Sequence, residues 1–182
     1  MLSAENTYAR GLPATRRCAW LLAVISALLL CQASGASAQL IDKRISALTP
    51  LDRQYMDTQR ELANELTLRY YGARCCRSVA ELDYLQRLSE DGYVSPGQTR
   101  ELQALGVVLG DFLAAELDMH WVIYEDIQGR SRALQLGETD NYLFPVTMIS
   151  RRREAGDQTP VAEIYQEAVE AIEAVRPPLP FQ

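Results

Sequence analysis

The N-terminal 38 residues have the order of a cleavable export signal, and this order limits how much of the chain is left to fold. Arginines come first, the apolar stretch AWLLAVISALLL follows at residues 19–30, and small residues end the segment at Ala36 and Ala38. A basic start, an apolar core and an A-x-A site are typical of secretory signals. We therefore predict cleavage between Ala38 and Gln39, which makes the mature chain periplasmic or secreted.

Three other interpretations of this segment stay open. Without cleavage, residues 19–38 could anchor the chain, although about 12 apolar residues are fewer than the roughly 20 that span a bilayer. Cys31 raises the question of lipid attachment, but the bulky Leu30 occupies the place where a lipoprotein signal has a small residue. Arg16 and Arg17 resemble the start of a twin-arginine signal, so both Sec and twin-arginine export are compatible with the sequence.

The mature chain has 144 residues, which is the length of one domain. We assign residues 39–176 to this domain, with residues 39–48 as a short lead-in, and residues 177–182 to a proline-rich tail. Without the signal, 15 basic and 23 acidic residues give a net charge of −8. This charge disfavours nucleic acid and anionic membranes as partners, so membrane contact is expected only through the signal before cleavage.

Two of the four cysteines lie in the signal, so only the adjacent pair Cys75 and Cys76 remains in the mature chain. Neighbouring Cα atoms are about 3.8 Å apart across a trans peptide, whereas a relaxed disulfide needs about 4.4–6.8 Å. The pair therefore predicts a strained bridge or free thiols rather than a structural staple. Arg74 and Arg77 flank the pair, which is compatible with a thiol redox switch. In the alternative interpretation, one cysteine is buried, the other is partly exposed, and neither has a role.

Apolar residues at helical spacing predict three helices before the first strand. Thr49 as N-cap and Pro50 in the first turn open the first helix, and Gly72 ends it. A capping box at residues 78–81 opens the second helix, and Ser95 opens the third. The apolar face expected for the first helix consists of Leu51, Tyr55, Leu62, Leu66 and Tyr70.

The third helix is apolar on nearly all sides, which predicts a buried central helix. Its glycines, Gly106 and Gly110, lie four apart, so another element, with the sheet as the expected one, should approach closely there. A meander with a turn at residues 128–130 should follow, because three segments have strand composition: residues 121–127, 132–136 and 142–144.

Pro145 ends the third strand because it has no N–H to donate. Helices at residues 146–154 and from Thr159 onward follow it. The predicted fold class is therefore α+β, with N-terminal helices, a three-stranded antiparallel meander and C-terminal helices.

Several short runs after residue 98 are similar to those of a known family: LGVVLGD at 105–111, WV at 121–122, ED at 125–126 and LFPVTMISRR at 143–152. Over residues 98–165 the chain resembles DUF3806, a bacterial domain of unknown function. The family has no established activity, so the resemblance implies a domain and no chemistry. Where the family commonly has lysine-arginine, this chain keeps the positive charge with Arg151 and Arg152.

Carboxylates around the central glycines form the first candidate ligand site. Glu125 and Asp126 are neighbours on a strand, so their side chains point to opposite faces and cannot act together as an acid–base pair. Either one could meet Asp111, where two close carboxylates would hold a proton or a cation. In the alternative interpretation, Asp111 binds backbone or arginine groups and the other two are solvated.

Arginines and a threonine form the second candidate ligand site. Arg151, Arg152 and Arg153 lie near a helix C-terminus of an acidic chain, and with Thr147 they indicate an anion-binding patch. In the alternative interpretation, the arginines compensate the helix dipole and pair with acids such as Glu154.

No catalytic set emerges from the sequence. His120 is the only histidine and is expected at the end of the central helix, so no zinc site, other metal or cofactor is assigned. The sequence favours a non-enzymatic binding or interaction protein with an unknown protein or small-molecule ligand. The alternatives are a carboxylate-dependent, hydrolase-like enzyme at Asp111 and Glu125, or a thiol redox sensor at Cys75 and Cys76.

Overall fold

A computed structural model describes residues 43–176, and the export signal, its cleavage site and the tail at 177–182 lie outside this range. The expected α+β class is confirmed. In chain order the elements are β1 (Arg44–Ala47), α1 (Pro50–Tyr71), a 3₁₀ turn (Val79–Glu81), α2 (Leu82–Glu90), α3 (Thr99–Leu117), β2 (Met119–Asp126), β3 (Gly129–Leu136), β4 (Tyr142–Leu143), α4 (Pro145–Glu154) and α5 (Val161–Glu173).

The strands form one antiparallel sheet in the order β1-β2-β3-β4. The expected meander of β2, β3 and β4 is present, but the prediction of three strands is wrong, because β1 adds a fourth at the edge. Strand β1 comes from the supposed lead-in, where Ile45 pairs with Tyr124 and Ala47 with Val122. Its four residues, RISA, are too few to show a strand pattern by themselves.

The β2–β3 hairpin closes with a two-residue turn, Ile127 and Gln128, because Asp126 pairs with Gly129. The turn predicted at residues 128–130 is therefore shifted, and β3 begins three residues earlier than expected. Strand β4 pairs only with Leu134 and Gln135 of β3. Within the described part of the chain, residues 129–133 thus have a strand on one side only.

Helix α1 has the predicted ends and a different buried face. The Thr49 hydroxyl accepts from the Asp52 N–H at 3.2 Å, and Gly72 ends the helix with φ +68°. Of the predicted face, Leu66 is buried and Leu62 packs against the core, whereas Leu51 is 73% exposed and Tyr70 is 37% exposed. The face that is buried contains three polar and three apolar residues: Asp52, Met56, Gln59, Ala63, Leu66 and Thr67.

Three predicted helix starts are corrected by local hydrogen bonds. The supposed capping box at Ser78 is a 3₁₀ turn in which Glu81 accepts from the Arg77 N–H at 3.1 Å. The Ser95 N–H donates to the side chain of Gln98 at 2.8 Å, and α3 begins only at Thr99. The Thr159 N–H likewise donates to the Asp157 carboxylate at 2.8 Å, and α5 begins two residues later than predicted, at Val161.

Helix α3 is the buried centre of the domain, as predicted, with Leu102, Leu105 and Leu109 fully buried. Each such side chain contributes about 1.5–3 kcal/mol of burial free energy. A Cβ on Gly106 would lie 2.5 Å from the Pro145 carbonyl oxygen of α4, and one on Gly110 would overlap the Trp121 ring of β2. The expected close contact with the sheet is therefore confirmed at Gly110. At Gly106 the close contact is with α4 instead.

None of the helices described for this chain is long and apolar enough to cross a membrane.

Candidate functional site

A groove of about 510 Å³ lies beside the one-sided edge of β3. We call it the arginine groove, because Arg130, Arg132 and Arg151 line it together with parts of the β2–β3 hairpin and the start of α4. Tyr55 of α1 and Gln103 of α3 complete the lining from the helical side. Its volume is within the range of about 300–1,000 Å³ that is typical of small-ligand sites.

Asp52, only 2% exposed, holds two of these arginines in place. Arg130 donates to both of its carboxylate oxygens, at 2.9 and 2.5 Å, and Nη2 of Arg132 lies 2.9 Å from Oδ1. The hydrogen bonds from Arg130, and then those from Thr49, hold the pKa of Asp52 well below its usual range despite burial. Asp52 therefore orients two guanidinium groups and stays ionised.

Arg132 is fixed a second time by an aromatic ring. Its guanidinium carbon lies 3.9 Å from the ring centroid of Tyr55, and the Tyr55 hydroxyl donates to Gln103 at 3.4 Å. The Arg132 Nε is buried and has no hydrogen-bond partner among residues 43–176. The stacked guanidinium therefore keeps donor capacity that Asp52 does not use.

The three consecutive arginines after Ser150 have three different environments. Arg151 is exposed, lines the groove and has no ion pair within the described range. Arg152 pairs with Glu167 at 2.7 Å, which supports the dipole-and-pairing interpretation for this residue. Arg153 is 3% exposed and donates to the Ser89 hydroxyl and to two backbone carbonyl oxygens of the loop that follows α4. The predicted patch of three arginines is thus reduced to Arg151, with Thr147 one turn earlier in the same groove.

Aromatic side chains form another wall of the groove. The ring of Tyr124 makes edge-to-face contacts with Phe144 at 5.3 Å and with Tyr142 at 5.1 Å. Tyr124 and Phe144 both line the groove, and Phe144 is 36% exposed. The groove thereby combines positive charge with apolar surface, which suits an anion attached to an apolar body.

The predicted carboxylate site does not form. Asp111 accepts from Nε and Nη2 of Arg60, at 2.7 and 2.9 Å, and from the Trp121 indole N–H at 3.0 Å. It does not line the groove, and the interpretation in which Asp111 binds arginine is confirmed. Asp126 does line the groove, but its neighbour Glu125 does not. No described carboxylate pair is therefore placed for acid–base catalysis in the groove.

His120 lies within strand β2, opposite Gln135, rather than at the end of a helix. It is exposed and does not line the groove. That His120 takes no part in a catalytic set stays a prediction. No set of three or more His, Cys, Asp and Glu side chains in residues 43–176 is placed to hold a metal ion.

Cys75 and Cys76 are joined as a disulfide between adjacent residues, with Cα atoms 3.7 Å apart. Cys75 is 3% exposed, and Cys76, with φ +81°, packs against the core. Neither cysteine lines the groove. A redox role for the pair stays a prediction.

Three groove residues have roles that the sequence did not suggest, namely Tyr55, Arg130 and Arg132, and so does Asp52, which holds the two arginines from behind the groove. Asp52 looked like an ordinary charge near a helix start, and the arginines were divided between a predicted turn and a strand. An available signal was the R-x-R spacing at residues 130–132, because alternate strand residues share a face. The groove itself brings together residues up to 96 positions apart along the chain, from Tyr55 to Arg151.

The elements that build most of this groove fall within a recognised family segment. Residues 81–165 match DUF3806, a domain of unknown function. The match confirms the resemblance and begins 17 residues before the segment in which the sequence runs were noticed. The matched segment contains Arg130, Arg132 and Arg151, whereas Asp52 and Tyr55 precede it in the sequence.

Comparison with solved structures and curated proteins adds information on the fold alone. A crystal structure from Bacteroides thetaiotaomicron VPI-5482 is similar, with a TM-score of 0.66 and 17% sequence identity. The similarity covers 75% of this chain and 51% of that chain, so this chain spans about half the length of that protein. No curated protein gives a significant match.

Proposed function

We propose that this chain is an exported, non-enzymatic binding protein whose arginine groove takes a small anionic ligand, such as a carboxylate. The observation that carries the proposal is the unpaired Arg151 beside Arg130 and Arg132, in a mature chain with a net charge of −8. Charge-assisted hydrogen bonds from arginine are among the strongest that a protein offers to an anion, and they can be bidentate.

Asp52 supports this proposal because it prepares the groove before a ligand arrives. It neutralises part of the charge of Arg130 and Arg132 and fixes both guanidinium groups, so less conformational entropy is lost on binding. The exposed Arg151 then supplies a full positive charge with no acidic partner in residues 43–176. Asp126 is the one carboxylate among the lining residues, which favours binding over acid–base chemistry.

The binding test uses isothermal titration of the mature chain with glutarate, citrate, phosphate and sulfate. We expect saturable binding of at least one anion, weakened about tenfold or more in Arg151→Gln. Arg69→Gln is the matched control, because Arg69 is an exposed arginine on the last turn of α1, outside the groove. Absence of saturable binding up to about 10 mM, or an equal loss in both variants, would refute the proposal.

Export is tested separately by fractionating a bacterial host that expresses the full chain. The intact mass of the recovered protein should correspond to a chain that begins at Gln39. A lipid-modified Cys31, or a mass that includes the first 38 residues, would contradict the soluble, exported form.

A further inference from the structure

Strand β3 offers an open edge along the arginine groove. Strand β4 ends after Leu143, and its pairing covers only Leu134 and Gln135. The preceding five residues of β3, 129–133, extend over about 17 Å of strand. Within the described chain no strand covers this stretch, and the groove lies directly beside it.

The register shows which backbone groups face this open side. On the β4 side the Leu136 N–H donates to the Asn141 carbonyl oxygen at 3.1 Å. In an antiparallel ladder the outward-facing residues alternate, so the backbone groups of Arg132 and Arg130 point the same way as those of Leu136. Two N–H and two C=O groups are therefore available to an additional strand.

The two faces beside this edge differ in character. Arg130 and Arg132 pair across the hairpin with Glu125 and Ile123, so their side chains share one face, where Asp52 holds them. Ser131 pairs with Tyr124, which places the aromatic wall on the other face. An added strand would therefore meet positive charge on one side and aromatic surface on the other.

We propose that the arginine groove takes an extended acidic peptide of a partner protein, which adds as a strand to the open edge of β3. Acidic side chains of this peptide lie on the face of Arg130 and Arg132, and alternating apolar side chains lie on the face of Tyr124. Backbone hydrogen bonds give affinity in such complexes, and the alternating side chains give selectivity. This inference rests on the proposed function, because it identifies the anionic ligand as the acidic side chains of a peptide.

The main competing explanation is that the charges only protect the edge. Proteins often shield edge strands with charged residues that discourage pairing. Here the side chains of Arg130 and Arg132 are drawn toward Asp52 on α1, and Gly129, Arg130 and Ser131 are exposed. The edge is therefore accessible at residues 129–131, its hairpin end, and the experiment must separate the two explanations.

The test measures binding of capped pentapeptides in which glutamate alternates with valine. We expect the peptide to bind about tenfold more tightly than glutarate, and a lysine–valine analogue to bind much more weakly. Two further peptides carry N-methyl groups on one or the other alternate set of residues. Strand addition uses only one set of N–H groups, so one of these peptides should lose affinity and the other should keep it.

A second readout is amide hydrogen exchange at Arg130 and Arg132, which the acidic peptide should slow and glutarate should leave unchanged. Equal affinities of the two methylated peptides, or unchanged exchange in the peptide complex, would overturn strand addition. If glutarate binds and depends on Arg151 while the peptide binds no better, the proposed function stands and this inference fails. If neither the peptide nor any of the four anions binds, both fail.

Discussion

Asp52 and Arg130 are joined by two parallel hydrogen bonds, 2.9 and 2.5 Å long, that connect the first turn of α1 to the hairpin end of β3. The carboxylate is 2% exposed, whereas the arginine side chain is 41% exposed. The pair therefore has one end inside the domain and one end that lines the groove. A change at Asp52 should lower the stability of the domain and release the groove arginines that its carboxylate holds.

The first prediction concerns Asp52→Asn at neutral pH. The free energy of unfolding should fall by about 2–3 kcal/mol, because an amide cannot neutralise the two guanidinium groups that Asp52 holds. Urea denaturation measures the change. Asp57→Asn is the control, since its carboxylate is 73% exposed and pairs only at the surface, and it should leave the stability unchanged. Equal effects of the two variants would contradict the assigned role.

The second prediction concerns the pH dependence of this difference. The pKa of Asp52 is lowered in the folded chain, chiefly by hydrogen bonds from Arg130, so its contribution is complete above the unfolded pKa. It is then lost as the pH falls through the lower folded value. The stability gap between wild type and Asp52→Asn should be constant between about pH 5 and 7 and should shrink below about pH 4. Urea titrations at three pH values test this, and a gap that persists undiminished at low pH would argue against it.

The third prediction separates neighbouring arginines. Arg153 donates to the Ser89 hydroxyl at 2.7 Å and to the carbonyl oxygens of Asp157 and Thr159 at 2.9 Å each. A lysine ammonium cannot reproduce this planar set, so Arg153→Lys should lower the free energy of unfolding by about 2–3 kcal/mol. Arg151→Lys, at an exposed position, should leave the melting temperature unchanged. The reverse order would show that the environments are misassigned.

The fourth prediction concerns Asp111, which the sequence suggested as part of a catalytic or ligand site. Asp111→Asn should lower the free energy of unfolding by about 1 kcal/mol, because the bidentate contact with Arg60 is lost. Glutarate affinity should not change, since Asp111 does not line the groove. Calorimetry of the same variant provides both values. A large loss of anion affinity without a loss of stability would restore Asp111 as a site residue.

Some local features were readable from the sequence, and most features set by distant contacts were not. The caps of α1 at Thr49 and Gly72 follow from the residues themselves, and the buried α3 follows from its composition. The buried face of α1 was misjudged because two polar residues, Asp52 and Gln59, lie on it. Asp52 can be buried only because Arg130 and Arg132 of β3 pair with its carboxylate. Hydrophobic periodicity cannot include partners that are 78 residues away.

The candidate site was partly predictable for the same reason. Arg151 and Thr147 lie one turn apart on α4, so a sequence pattern could group them, and the groove contains both. Arg152 has the same charge but faces Glu167, and no pattern within LFPVTMISRR distinguishes the two arginines. Their difference depends on where α5 packs, which is a property of the folded chain.

The fifth prediction uses the glycines of α3, whose spacing did predict a close contact. Gly110→Ala places a methyl group into the Trp121 ring, and Gly106→Ala places one 2.5 Å from the Pro145 carbonyl oxygen. Alanine gains up to about 1 kcal/mol of helix propensity, but overpacking in a core costs about 1–3 kcal/mol and more when rigid groups must move. We expect a net loss of about 2 kcal/mol for each variant by urea denaturation. Gly97→Ala is the control, because a Cβ there meets nothing within 4 Å, and a stabilised Gly110→Ala would show that α3 and β2 are not in close contact.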